Sequence, residues 1–184
     1  MNRRAALRNM ALIMGGAIIL PSCLHDDKGN AVVKLNNLTI DAEQEKIVNS
    51  LTETILPKTD TPGAAELGIN LFVFKMIDDC AGKEQQADFI TGLNKFADEA
   101  KQKMGKPFVD GTDKQRVAFV SSVEKLGKDK NYKDDGKLMA FYQMVKGQTV
   151  FGYTTSKYFM TKQVVYELVP GRYNAMYPAS KATV

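Results

Sequence analysis

Apolar positions recur along this chain with helical spacing, interrupted at intervals by proline and glycine. Ile47, Val48, Leu51 and Ile55 form one stripe and predict an amphipathic helix from Thr39 or Asp41 to about Leu56. Asp41 and Gln44 have the spacing of a capping box at its start. A second helix is expected from Pro62 to about Ala81, with Thr61 as its cap and Pro62 at its first position, where a missing N–H costs nothing. Ala65, Ile69, Phe72, Val73, Met76, Ile77 and Cys80 share one face of it, and Leu67, Leu71 and Phe74 add apolar surface elsewhere. That pattern predicts a central helix covered on more than one side. Asp78 and Asp79 oppose the helix dipole near its end. Either another element holds them or they are solvated, and the solvated reading is the simpler one.

Gly82 breaks the second pattern. Glu84 to Met104 predicts a third helix with Phe89, Leu93, Phe96, Ala97, Ala100 and Met104 inward, ended by Gly105 and Pro107. Thr112 with Gln115 starts a fourth helix by capping-box spacing, with Val117, Val120, Val123 and Leu126 inward. Gly127 to Gly136 is a charged loop. The fifth segment, Lys137 to about Tyr158, is dense in large side chains, and Gly147 and Gly152 mark a kink or a close helix contact. Thr161 to Glu167 is consistent with a short helical turn, while Val164-Val165-Tyr166 also suits a short strand. The tail to Val184 is irregular. The fold class expected is all-α, an irregular bundle of about five helices with an N-terminal signal segment and an irregular C-terminal tail.

The segment before the bundle has a different grammar. Arg3, Arg4 and Arg8 precede an apolar run from Met10 to Leu20, too short to span a bilayer comfortably. Paired Arg3-Arg4 followed by Leu7 and Arg8 resembles a twin-arginine export signal. Ala6 and Asn2 depart from its usual residues, so general secretion is the alternative route. Leu20-Pro21-Ser22-Cys23 resembles a lipobox, which makes Cys23 the lipidation site. Two or more acyl chains at about 0.8 kcal/mol per buried CH₂ suffice for stable anchoring. A plain signal peptide or an uncleaved anchor is the competing reading. The division expected is therefore 1–22 signal peptide, 23–38 lipidated tether and 39–184 helical domain. The location that follows is the periplasmic side of a bacterial envelope, with the chain lipid-anchored to a membrane.

Charge changes the picture little. The whole chain of 184 residues carries 25 basic and 21 acidic residues, net +4. Without the three arginines of the signal, 22 bases face 21 acids, a net +1, which gives no reason to expect a nucleic-acid partner. Candidate chemistry is sparse. The sole histidine, His25, falls in the tether and reads as solvated; the sequence has no Gly-rich phosphate loop. Nucleophile–base pairs need a base that the helical body lacks. Cys80, at the end of an apolar stripe, is expected to be a buried thiol rather than a metal ligand, with an intermolecular disulfide as the lesser reading. No catalytic, cofactor or metal residue is therefore assigned to this chain.

Ile55-Leu56-Pro57 followed by Thr59-Asp60-Thr61-Pro62-Gly63-Ala64 resembles the signature of the gluconate 2-dehydrogenase subunit 3 family. Gly152-Tyr153-Thr154-Thr155-Ser156, then Tyr166-Glu167 and Pro170-Gly171-Arg172-Tyr173, resemble its later elements in the same order. The resemblance implies a non-catalytic accessory subunit that binds, escorts through export and helps anchor a large subunit. That partner would be a flavin-dependent gluconate, sugar or glycoside dehydrogenase of the glucose–methanol–choline type. FAD is then expected in the large subunit and haem in a c-type cytochrome partner. Thr59, Asp60, Tyr153, Ser156, Arg172 and Tyr173 become the candidate partner contacts. For Pro57, Pro62 and Gly63, helix–loop–helix geometry is an equally good account. The alternative function is an envelope lipoprotein module that binds a carbohydrate or another envelope protein, with Tyr142, Tyr153, Tyr158 and Tyr173 as aromatic lining.

Overall fold

The computed structural model describes residues 31, 33–128, 136–164, 169, 171 and 175–176. They form an all-α bundle: α1 (Ala42–Ile55), α2 (Ile69–Lys75), α3 (Lys83–Met104), α4 (Asp113–Lys128) and α5 (Lys137–Thr154). A π-helical turn, Met76–Cys80, prolongs α2; a 3₁₀ turn, Phe108–Asp110, precedes α4, and a second π turn, Phe159–Gln163, follows α5. Both expected capping boxes are present. Asp41 accepts from the Gln44 N–H at 2.8 Å while Gln44 answers the Asp41 N–H at 3.1 Å. Thr112 and Gln115 make the same exchange. Gly105, at φ 71°, ends α3 in the left-handed conformation glycine adopts at least cost.

The long α3 and α5 make the central pair. Gly92 lets them touch: a Cβ there would sit 2.2 Å from the Lys137 carbonyl oxygen and 2.5 Å from the Phe141 Cβ. Around this crossing lie Phe89, Phe96, Phe108, Phe119 and Phe141, all buried. Phe96 contacts three of the others, with ring centroids 5.0 Å from Phe108, 5.1 Å from Phe119 and 5.5 Å from Phe141. Tilted and edge-on pairs of this kind add about 0.5–1.5 kcal/mol each beyond their burial. The ion pair Lys137–Asp88 ties the start of α5 to α3.

Five expectations are corrected. The second helix starts at Ile69, not Pro62. Ala64–Gly68 first closes a separate turn (Gly68 N–H to Ala65 O 3.1 Å, Ile69 N–H to Ala64 O 2.9 Å), and Gly68 at φ 65° interrupts the helical path. Thr61 consequently caps nothing and its hydroxyl faces Thr59. Val117 is 51% exposed, because Phe119 takes the inward position on α4 with Val120 and Val123. Cys80 is exposed, since the wider π turn rotates it away from the α2 stripe. Asp78 is 1% exposed and held by another element rather than solvated.

That element is the end of the span read as tether. Val33 and Leu35 pack against the core, and Leu38 is buried. Gly152 provides the close contact expected of it, seated on the Phe72 ring, whereas Gly147 faces open space and α5 runs through it. Residues 129–135 of the charged loop and 165–168 of the tail lie outside the described residues. Val164 is extended after the π turn.

Candidate functional site

The bend between α1 and α2 builds a cleft of about 490 Å³. Leu56 caps α1, its N–H on the Thr52 carbonyl at 2.9 Å, and accepts the Ala64 N–H at 3.0 Å. The loop is thereby pinched at its neck. Gly63 sits so close to the incoming strand of loop that a Cβ would lie 2.7 Å from the Lys58 nitrogen. Its N–H donates to Glu66 Oε2 at 3.3 Å, and Glu66 pairs with Lys58 at 2.5 Å. Lys58 is the main reason the Glu66 carboxyl is held below its ordinary range.

The far wall belongs to α4. Arg116, largely covered, reaches Asp113 at 2.6 Å, and its Nε is buried without an acceptor among the described residues. Val117 adds a half-exposed apolar side chain beside Leu56, Pro57, Ala64 and Ala65. The lining is thus an apolar strip flanked by two ion pairs, Lys58–Glu66 and Arg116–Asp113. It offers van der Waals surface and polar ends, with no nucleophile placed against a base. Among the described residues, no group of three or more His, Cys, Asp or Glu side chains is placed to hold a metal ion.

Of the candidate contacts, Thr59 and Asp60 are exposed at the tip of this loop and outside the cleft lining. Thr59 is tied locally, its N–H to the Thr61 carbonyl at 3.1 Å. Tyr153 and Ser156 lie at the end of α5. The Tyr153 ring stands edge-on to Phe159 at 5.3 Å, and Ser156 Oγ accepts the Phe159 N–H at 3.2 Å, starting the last turn. Both therefore shape the exit of the chain locally. Beside them, Val150 and Phe151 are each 51% exposed, and Phe151 lies 6.0 Å from Phe72. No hydrogen bond or ion pair among the described residues joins Thr59 or Asp60 to Tyr153 or Ser156. Arg3, Arg4, Cys23, Arg172 and Tyr173 fall outside the described residues. Tyr142 belongs to the core, its hydroxyl on Glu124 at 2.5 Å.

A family model described as gluconate 2-dehydrogenase subunit 3 matches residues 42–171. The chain belongs to the gluconate 2-dehydrogenase subunit 3 family. The match runs from the first residue of α1 past Pro170, and so covers both the α1–α2 loop and the end of α5. No curated protein and no solved structure matches the chain. Membership makes this an accessory type of subunit associated with a dehydrogenase complex.

Arg116 is not singled out in the sequence, Val117 is assigned to the core by its spacing, and the solvated reading is preferred for Asp78. Arg116 and Val117 join the loop only through the packing of α4. Asp78 did carry a signal, an acid at the unfavourable end of a helix dipole.

Proposed function

We propose that this protein is the non-catalytic small subunit of a flavin-dependent gluconate, sugar or glycoside dehydrogenase. It binds the large subunit, accompanies it through export and helps anchor it to the membrane through lipidated Cys23. The observation that carries this reading is the family match over residues 42–171. FAD resides in the large subunit, and a c-type cytochrome receives the electrons. Arg3 and Arg4 address the pair to the twin-arginine route, which suits folded cargo.

Two surfaces support a protein partner. The α1–α2 loop with its cleft presents Leu56, Pro57 and Val117 between paired charges. The end of α5 presents Val150 and Phe151 next to Tyr153 and Ser156. Exposed apolar side chains gathered beside polar ones are the composition of an interface. Thr59, Asp60, Arg172 and Tyr173 complete the proposed contact set.

Purification of the tagged chain from membranes tests this directly. An FAD-containing large subunit should accompany it in stoichiometric yield. Recovery of a solitary monomer would count against the assignment, as would bound flavin in the small chain itself.

A further inference from the structure

The segment entering α1 is fastened to the body at one residue. Asn36, Asn37 and Leu38 donate consecutive backbone N–H groups to the Asp78 carboxylate at 2.8, 2.7 and 2.7 Å. Asn37 Nδ2 donates to the Asp78 carbonyl at 3.0 Å. Gln86 Nε2, from α3, donates to the carbonyls of Ile77 and Asp78, which braces the π turn from behind. A little upstream, the Val33 N–H reaches Glu45 Oε2 at 3.3 Å. These bonds are neither helix nor sheet; a single carboxylate gathers three donors that a strand or helix would otherwise satisfy. π turns concentrate where a chain does something other than pack.

The position of the fastening is as informative as its chemistry. α1 runs from Ala42, beside the fastened segment, to Ile55, beside the proline loop, about 20 Å at 1.5 Å per residue. α2 and its π turn run back: Asn70 Nδ2 donates to Asn49 Oδ1 at 2.9 Å, and Asp78 returns to residues 36–38. The α1–α2 hairpin thus has two poles, the Asp78 fastening at one and the Pro57–Ala65 cleft at the other.

We propose that Asp78 is a latch that makes the N-terminal segment leave the bundle at a fixed pole, so that the membrane anchor holds the proline-loop cleft on the side away from the bilayer. The orientation rests on the lipid-anchor reading above; the latch does not. Nine residues separate Cys23 from Val33, a span of at most about 35 Å at full extension. A free hinge at residue 38 would let the domain present any face to the lipid. A latch at residues 36–38 shortens the free span to the residues before Val33, which biases the domain toward presenting its latch pole to the lipid and its cleft to a partner in the aqueous phase.

Hydrogen exchange on the full mature chain, without lipid, decides the latch. Peptides covering residues 33–40 should be protected, and Asp78→Asn should speed their exchange at least ten-fold while α3 and α5 keep theirs. Asn37→Ala removes a bond without unpairing a buried charge, and should speed the same peptides several-fold. Unchanged exchange at 33–40 in both variants overturns the latch, as does a loss of protection spread evenly over the chain with both. Energy transfer to acceptor lipid in phosphatidylcholine vesicles decides the orientation. Exposed Cys80 carries the donor at the latch pole; a Cys80→Ser, Lys58→Cys chain carries it at the other. Transfer should be at least two-fold more efficient from Cys80, and Asp78→Asn should erase the difference. Equal transfer from both poles overturns the orientation. A chain that does not float with vesicles overturns the anchor reading and the orientation with it, and leaves the exchange result standing.

Discussion

The Asp78 carboxylate lies 2.7 Å from the Leu38 backbone N–H, across forty residues of sequence. Burial pushes this carboxyl up, but the bonds from Asn36, Asn37 and Leu38 and the nearby Lys75 charge outweigh it and hold the group below the usual range. A carboxyl depressed in the folded state contributes stability above its unfolded pKa of about 3.9, and loses it as pH falls through the folded value. Thermal melts should therefore drop below about pH 4. Asp78→Ala should cost about 2–4 kcal/mol at neutral pH, because three donors lose a charged acceptor, and should flatten the acid limb of the curve. An unchanged acid limb would show that other carboxylates govern it.

The contact of α3 with α5 gives a sharper test of packing. Gly92→Ala drives a methyl into the Lys137 carbonyl and the Phe141 side chain. Backbone must move to admit it, so a loss of about 1–3 kcal/mol or more is expected by chemical denaturation. Gly147→Ala, on the same pair of helices but facing open space, should stabilise by up to about 1 kcal/mol. Opposite signs from one chemical change would confirm the helix crossing.

Tyr142 should be silent in a spectrophotometric titration of the native chain. Burial, then the hydrogen bond to Glu124, push its hydroxyl above the ordinary tyrosine range. The Glu124 carboxyl is held down in turn, chiefly by Lys146 and then by Tyr142. A group whose folded pKa is raised contributes stability below its unfolded pKa, about 10, and loses it as pH rises beyond. Tyr142→Phe should cost about 1–2 kcal/mol near neutrality and lose that alkaline decline.

The proline-loop cleft is tested by separating stability from partnership. Val117→Asp changes a half-exposed side chain on the cleft wall, so the melt should move by no more than about 0.5 kcal/mol. Co-purification of the large subunit should fall at least ten-fold. Retained partner with an unchanged melt would place the interface elsewhere, and Phe151→Asp at the end of α5 would then be the informative variant.

Much of the fold was written locally. The capping boxes at Asp41 and Thr112, the left-handed Gly105 and the stripes of α1 and α3 depend on residues three or four apart, and a linear pattern records those distances faithfully. The two loop motifs were legible in the same way, as short runs of proline, glycine and hydroxyl side chains, and they indicated the family. Tertiary structure decided what required two distant segments to meet. Whether Phe119 or Val117 faced inward depended on where Phe96 and Phe108 stood. Whether Asp78 was solvated depended on three backbone donors forty residues away, and helical periodicity contains no term for a partner outside the helix. The second helix began seven residues later than expected because Gly68 turned left-handed at the end of a turn that starts where the Ala64 N–H meets the Leu56 carbonyl, a contact between separate segments that helical periodicity does not record.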